Sequence, residues 1–464
     1  MLKLAGGPAV AGVVPGVAVV AVNALVVLAL IGRATVPLAV LAVVAPLGVA
    51  LTRRPQRGLL VLAALVPFDG LLLLAPDLPP LAAGWKEALV LATLAATFVA
   101  PTSARAPTGR PLPGWAPAVG GLLALGLASA LVVGGIQAAW GLKIAFFFVL
   151  VAVAVWRCPL DAGERDVLVT ILLVAGLVTA TYGLAQQVMG HSRLHAMGYE
   201  YNSAIRFTGS FLRSFSTFDN PFGFGYFLML VLLIGVPHAL DRPDRIRSRI
   251  FLVTAPLLVA GLASTFVRGA WIGLFVGLAY LAWARFPRLL LGLPVIVVGL
   301  LLLPTGVSSA ALSSTSGAAR VANWDANLFA IVSHPVGVGL GSSNAAAEKT
   351  AGALGGVGDV FHPDNEYYRA AYELGVIGLW LVVLLLVSAF RGVRAVAADL
   401  PPDGALFALA VSATVLAAAA ASFVTTYLDT FPNNVYFWLL LGVVAAERRR
   451  PVDRVMVTAG AGAS

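Results

Sequence analysis

The sequence predicts an all-α integral membrane protein, a polytopic helical bundle of about 12–14 transmembrane helices with two extracytoplasmic loops. Hydrophobic residues form 60 % of the chain and charged residues only 11 %, whereas a soluble domain is about a quarter charged. The mean hydropathy is +0.94. Apolar runs of roughly 20 residues recur from end to end, and this is the length that a helix needs to cross a bilayer.

The predicted helices form three groups separated by two polar segments. The apolar runs lie near 8–31, 34–51, 58–76, 82–100, 114–135, 138–156, 166–189, 220–240, 250–266, 269–285, 288–304, 371–390, 404–424 and 433–446. The chain accordingly divides into N-terminal helices (1–189), an extracytoplasmic loop (190–219), central helices (220–304), a larger extracytoplasmic and catalytic loop (305–370), C-terminal helices (371–446) and a cytoplasmic tail (447–464).

The basic residues predict the orientation of these helices. If the N-terminus is cytoplasmic, 20 of the 30 Lys and Arg residues fall into short cytoplasmic segments, as the positive-inside rule requires. Membrane topology thereby explains the net charge of +9, and no nucleic-acid partner is expected. The sequence predicts a multi-pass protein of the cytoplasmic (inner) membrane with both long loops on the outer face.

A polar stripe enters the apolar run that begins near residue 371. Polar residues recur there on one helical face: His362, Glu366, Arg369 and Glu373. Pro363 suits the first helical position, where its missing N–H costs nothing. Because ionisable groups that face lipid are costly, the stripe predicts a cavity within the bundle. The alternative is a helix cap with ion pairs at the membrane surface.

Arginines on the predicted outer face are the second unusual feature. The first outer loop carries Arg206 and Arg213, and Arg268 follows the end of an apolar run. Guanidinium groups bind phosphate oxygens bidentately, so this set suits a diphosphate presented at the membrane surface. The alternative is that each arginine is an interfacial anchor whose side chain extends toward the lipid headgroups.

Four segments carry a resemblance to a known family. They read RSFSTFDNPFGFGYFL (213–228), STFVRGAWIGL (264–274), ARVANWDANLFAIVSHPVGVGLGSSN (319–344) and HPDNEYYRAAYELGVIGL (362–379). In this order they resemble the two arginine segments, the segment ending in His-Pro-x-x-Gly-x-Gly and the histidine segment of the O-antigen ligase and polymerase superfamily. The resemblance covers about 206–380, and the first two hundred residues resemble the family only in being hydrophobic.

The resemblance implies a GT-C-like membrane glycosyltransferase. Such enzymes take a glycan from a polyprenyl-diphosphate carrier on the outer face and transfer it to a sugar hydroxyl of a glycan or lipid acceptor, without metal or cofactor. Arg268 and His362 match the second family arginine and the family histidine. Either Arg213 or Arg206 matches the first arginine. Ser216 stands where the family prefers glycine.

The residue types suit this reaction. Fixed arginines stabilise the negative charge that develops on a diphosphate leaving group. His362 is expected to be the base for the attacking hydroxyl, because a helix N-terminus favours its neutral form. Glu366, one turn further, is expected either to orient His362 or to replace it. A single in-line displacement inverts the anomeric carbon.

Other polar residues are candidates for contacts with the acceptor or the cavity wall: Arg320, Arg369, Asp429 and Lys143. No metal site is expected. His191 and His195 lack a carboxylate spaced to complete one, and the chain has a single cysteine.

The competing interpretations are a lipid-linked glycan flippase or polysaccharide transporter, and a scaffold without chemistry. Transporters commonly contain inverted repeats and paired broken helices, and the sequence shows neither. A scaffold leaves the arginines and His362 unexplained. The choice between ligase and polymerase, and the identities of glycan and acceptor, stay open at the level of sequence.

Overall fold

A computed structural model of the protein describes residues 51, 53–74, 83–106, 110–199, 207–208, 211–292, 294, 328–329, 331–354 and 360–447. These residues form a helical bundle, which confirms the predicted fold class. One short antiparallel pairing, of β1 (Phe207–Thr208) with β2 (Phe211–Leu212), is the exception. The apolar run near 8–31, all of the run near 34–51 except its last residue, and the greater part of the run near 288–304 lie outside the described residues.

The helices of the described part follow the predicted apolar runs, except the helix Asn344–Ala353, which lies within the predicted loop 305–370. They are α1 (Gln56–Leu65), α2 (Trp85–Val99), α3 (Ala116–Val133), α4 (Gly135–Phe146), α5 (Val149–Arg157), α6 (Ala162–Ala196), α7 (Pro221–Asp241), α8 (Ile246–Thr265), α9 (Arg268–Ala284), α10 (Asn344–Ala353), α11 (Glu366–Ala397), α12 (Pro402–Ala421) and α13 (Asn433–Ala446). Short 3₁₀ segments lie at Val66–Leu74, Thr102–Ala104 and Pro287–Leu291. Within these residues, six helices are long and apolar enough to cross a membrane, or seven if the bent pair α4 and α5 is one span. The protein is therefore a multi-pass helical membrane protein.

The helices α7 and α12 form the centre of the bundle. In the most apolar 18-residue stretch of each helix, 83 % of α7 and 72 % of α12 is buried. The corresponding fractions are only 22 % for α3 and 28 % for α8. The helix α9 packs along α12, α7 along α8, and α5 along α13, which is buried throughout. The apolar side chains of the outer helices thus face outward, as contact with lipid requires.

Ion pairs gather at one end of the bundle, which we call the basic end. They join Arg54 with Glu164, Arg165 with Glu447, Arg242 with Asp403, Arg247 with Asp166 and Arg285 with Asp241. Arginines that the sequence predicts to be cytoplasmic therefore lie together. The opposite end, where α2, α7, α9, α11 and α13 begin, is called the cavity end.

The start of α11 differs from the prediction. The helix begins at Glu366, so the assignment of Pro363 to the first helical position is wrong. The N-cap is Asn365, whose Oδ1 accepts hydrogen bonds from the backbone N–H groups of Tyr367 at 2.8 Å and Tyr368 at 3.2 Å. An asparagine side chain satisfies the first free N–H groups of a helix, which proline cannot do.

A break at Gly375 divides α11. Its φ of 69° is left-handed, and an added Cβ would overlap the carbonyl oxygen of Pro335. The glycine-rich segment 334–341 fills the break, because Val338 N donates to the free carbonyl of Tyr372 at 2.7 Å. The segment 334–341, which reads HPVGVGLG, is thereby fixed against the first turns of α11.

Candidate functional site

A cavity of about 1370 Å³ lies at the cavity end of the bundle. Five residues predicted from the sequence line it: Arg213, Arg268, His362, Asp429 and Lys143. Glu366 and Arg369 line a separate, small cavity of about 40 Å³ instead. Arg206 and Arg320 lie outside the described residues.

Arg213 presents a buried cation to the cavity. It is 9 % exposed, its Nε donates to the Thr265 carbonyl at 3.0 Å, and its guanidinium lies 4.8 Å from the centre of the Phe222 ring. No carboxylate among the described residues pairs with it. Burial lowers the pKa of Arg213 to about 10, so the side chain stays protonated at neutral pH. A buried, uncompensated cation favours an anionic ligand.

Arg268 is the first residue of α9 and lines the same cavity. Two hydrogen bonds connect the segment of Arg213 with the end of α8, just before Arg268. Ser214 N donates to the Ser264 carbonyl at 2.8 Å, and Arg213 Nε donates to the Thr265 carbonyl at 3.0 Å. Only two residues separate the end of α8 from the start of α9. The two arginine segments, distant in sequence, are therefore held together at the cavity end.

Ser216 stands where the resemblance expects glycine, and its φ of 53° lies in the left-handed region that favours glycine. Gln186 of α6 holds this backbone on both sides: its Oε1 accepts from Ser216 N at 2.7 Å, and its Nε2 donates to Ser216 O at 2.9 Å. Ser216 Oγ also donates to the Thr179 carbonyl at 2.6 Å. These bonds fix the loop that carries Arg213 without a glycine.

His362 is exposed to the cavity and lies in the loop before α11. Its Nε2 is 3.6 Å from Oε1 of Glu348 on α10. The start of α10 is fixed next to it, because Asn344 N donates to the Phe361 carbonyl at 3.0 Å. Glu348 is therefore the carboxylate that the structure places beside His362.

Glu366, Arg369 and Glu373 form a buried ion-paired triad in α11, on one face as their spacing predicts. Arg369 Nε lies 3.1 Å from Glu366 Oε1, and its Nη1 lies 3.1 Å from Glu373 Oε2. Glu366 Oε2 accepts from Leu428 N at 3.2 Å, and Glu373 Oε1 accepts from the Ser343 hydroxyl at 2.7 Å. Because Glu366 is 0 % exposed, it offers no surface to a substrate. The triad instead fixes the loop before α13 and the start of α10.

Asp429 lies in the loop between α12 and α13 and lines the cavity. Burial raises the pKa of Asp429 to about 7; the nearby Arg369 lowers it, while Glu366 and Glu373 raise it. The carboxyl group therefore changes its charge near neutral pH.

Two residues of α10 were missed in the sequence: Lys349, which lines the cavity, and Glu348, which lies beside His362. Lys86 and Asp69, which also line the cavity, form an ion pair at 2.6 Å. The alanine-rich run 344–353 favours a helix and is the signal that predicts α10. Within the described part of the chain, no group of three or more His, Cys, Asp or Glu residues is arranged to hold a metal ion.

A comparison with known protein families gives a match. Residues 253–383 match the family model described as O-antigen ligase, and no curated protein matches the chain. The matched stretch contains Arg268, His362 and the break at Gly375, whereas Arg213 precedes it. The match confirms the resemblance of three of the four ordered segments to the O-antigen ligase and polymerase superfamily, whereas the first segment, 213–228, precedes the matched stretch.

Proposed function

We propose that the protein is a membrane glycosyltransferase that transfers a glycan from a polyprenyl-diphosphate carrier to an acceptor sugar hydroxyl on the outer face of the cytoplasmic membrane. The family match suggests a glycan ligase or polymerase. One observation carries the proposal: Arg213 and Arg268, from two segments, line a single cavity together with His362.

The proposed reaction assigns a role to each group. The Nη groups of Arg213, left available by the bond from its Nε to Thr265, bind the donor diphosphate together with Arg268. His362 takes the proton from the acceptor hydroxyl, and Glu348 stabilises the resulting imidazolium. The acceptor oxygen forms a bond to the anomeric carbon as the bond to the diphosphate oxygen breaks. The leaving diphosphate keeps the electron pair and is stabilised by the arginines.

The test is transfer of a labelled glycan from a polyprenyl-diphosphate donor by purified protein in liposomes. We expect Arg213→Lys and Arg268→Lys to lose activity nearly as strongly as the alanine variants, by about 10²–10³-fold, because lysine cannot form the bidentate contact. Arg249→Lys is the matched control, since its side chain is 69 % exposed at the basic end.

Two outcomes would contradict the proposal. Full transfer by both folded lysine variants would show that these arginines are anchors and do not bind the diphosphate. Movement of the donor across the liposome membrane without formation of a glycosidic bond would favour the flippase alternative.

A further inference from the structure

The cavity has a second set of charged and aromatic side chains, separate from the arginines. We propose that Trp140, Lys143 and Lys349 form an acceptor subsite that binds a sugar residue bearing a carboxylate. This inference rests on the proposed function, because it names the chemical class of the acceptor.

Two lysine ammonium groups lie over one indole. Lys143 Nζ, on α4, and Lys349 Nζ, on α10, are each 5.2 Å from the ring centre of Trp140. Glu87 compensates Lys143 at 2.8 Å. Lys349 has no carboxylate partner among the described residues. The indole therefore has one uncompensated positive charge beside it, which favours an anion on this wall of the cavity.

Two buried polar atoms lie on the same wall. Trp140 Nε1 and Glu87 Oε2 have no hydrogen-bond partner among the described residues, and both residues line the cavity. Unsatisfied buried polar atoms are rare in folded proteins and call for an explanation. The Trp140 ring on this wall matches the apolar face of a pyranose.

The short helix α10 places this subsite next to the proposed base. Its consecutive residues Glu348 and Lys349 contact His362 and Trp140, respectively. A general base must lie within reach of the hydroxyl that it deprotonates. A sugar held at Trp140 is therefore positioned as the acceptor, while the arginines hold the donor.

The size of the cavity and the type of its cations agree with two substrates. A volume of about 1370 Å³ exceeds the roughly 300–1,000 Å³ that is common for a single ligand. Arginine binds the paired oxygens of a diphosphate, whereas lysine is a compact point charge that suits one carboxylate. Lys86, in contrast, is neutralised by Asp69.

The test measures glycan binding to the full-length protein in nanodiscs by titration calorimetry. The probes are oligosaccharides that contain glucuronate, galacturonate or mannuronate, each beside its carboxyl-reduced neutral counterpart. We expect at least one acidic probe to bind roughly tenfold more tightly than its counterpart. Lys349→Gln should remove this preference, and Trp140→Phe should weaken binding of both forms. Arg249→Gln, at the basic end, is the control that should change neither.

Three results would overturn the inference: equal binding of every acidic and neutral pair, a preference retained in Lys349→Gln, or tighter binding of glycerol phosphate than of any acidic glycan. The last would identify a lipid headgroup as the anion. Loss of polyprenyl-diphosphate binding in Lys349→Gln would also overturn it, by assigning the lysine to the donor.

Failure of the proposed function gives a different pattern. In that case the folded Arg213→Lys and Arg268→Lys variants transfer normally, while the preference for the acidic glycan and its dependence on Lys349 persist. A failed acceptor subsite leaves the arginine effects on transfer intact.

Discussion

Arg213 is the residue whose surroundings most directly indicate a ligand. A guanidinium that is 9 % exposed, without a carboxylate among the described residues, is costly unless an anion contacts it. Its backbone and ring contacts hold the side chain in one position, so little side-chain entropy is lost when an anion binds. The residue is thus arranged for binding at some expense of stability.

His362 is expected to affect catalysis more than binding. His362→Ala should reduce the rate of transfer by about 10²–10⁴-fold and leave the affinity for the donor nearly unchanged, because the proposed mechanism assigns the diphosphate to the arginines. His362→Gln keeps a hydrogen-bonding group but cannot take up the proton, so it should be equally slow. Single-turnover transfer and donor binding, measured on the same samples, check both expectations.

Each variant has an informative counter-result. Recovery of most of the rate by His362→Gln would show that the histidine only orients the acceptor. Loss of donor binding in His362→Ala would place the imidazole in the diphosphate site. Glu348→Gln should reduce the rate less than either variant, because it removes a stabilising charge and not the base.

Asp429 makes stability depend on pH. Its folded-state pKa of about 7 lies above the ordinary aspartate value, so the folded state holds the proton more tightly than the unfolded state. This contribution to stability is full in acid and is lost as the pH rises toward about 7. Asp429→Asn should remove that loss, which thermal unfolding in detergent between about pH 4 and pH 8 can measure.

The control for Asp429 is Asp244→Asn, because the side chain of Asp244 is 97 % exposed. The control should keep the pH dependence of the natural protein. If Asp429→Asn keeps it as well, the carboxyl group does not titrate near neutral pH.

Among the secondary-structure elements, α11 contributes most to the site, because the break in this helix holds neighbouring segments in place. Carbonyl groups freed at Gly375 accept hydrogen bonds from the segment 334–341, which leads directly into α10. The buried triad of α11 also contacts the start of α10 and the loop that carries Asp429. The cavity walls are thereby joined to one broken helix.

Gly375→Ala should destabilise the protein, because a left-handed conformation costs a non-glycine residue about 1–3 kcal/mol and the new Cβ would overlap Pro335. Thermal unfolding and binding of the donor should both be impaired. Gly392→Ala in the same helix is the matched control: no atom lies within 4 Å of its added Cβ. The control should be neutral or slightly stabilising, by up to about 1 kcal/mol. Equal stability of both variants would show that the break does not depend on glycine.

Across the whole molecule, the charged residues lie mainly at the two ends of the bundle, and their partners differ between the two ends. The basic end is closed by ion pairs between arginines and carboxylates, whereas the cavity end contains buried or cavity-facing cations. Positive charge is retained on the cytoplasmic side of membrane proteins, so we propose that the cavity end faces outward.

Single cysteines test this orientation in a Cys158→Ala background, since Cys158 is the one cysteine of the chain. Ala353→Cys, at the exposed end of α10, should react with a membrane-impermeant maleimide on intact spheroplasts. Asp244→Cys, at the basic end, should react only after the membrane is permeabilised. The reverse pattern would place the cavity in the cytoplasm and exclude the proposed outer-face reaction.

The sequence alone predicted the membrane helices, the gathering of arginines at one end of the bundle, and the candidate residues Arg268, His362 and either Arg213 or Arg206. These features depend on composition, on periodicity within one helix and on short motifs, all of which are local in the chain. Periodicity also predicted the shared face of Glu366, Arg369 and Glu373. The assignment of His362 to the same face is wrong, because the helix begins at Glu366.

The tertiary structure decided which of these groups meet. It buries Glu366 in an ion pair, places Glu348 beside His362, and joins the segments of Arg213 and Arg268 through backbone hydrogen bonds. Such contacts join residues far apart in sequence, so they depend on how the helices pack and where α11 breaks. No local pattern specifies that packing, and for this reason the carboxylate partner of His362 and the lysines beside Trp140 became visible only in the folded chain.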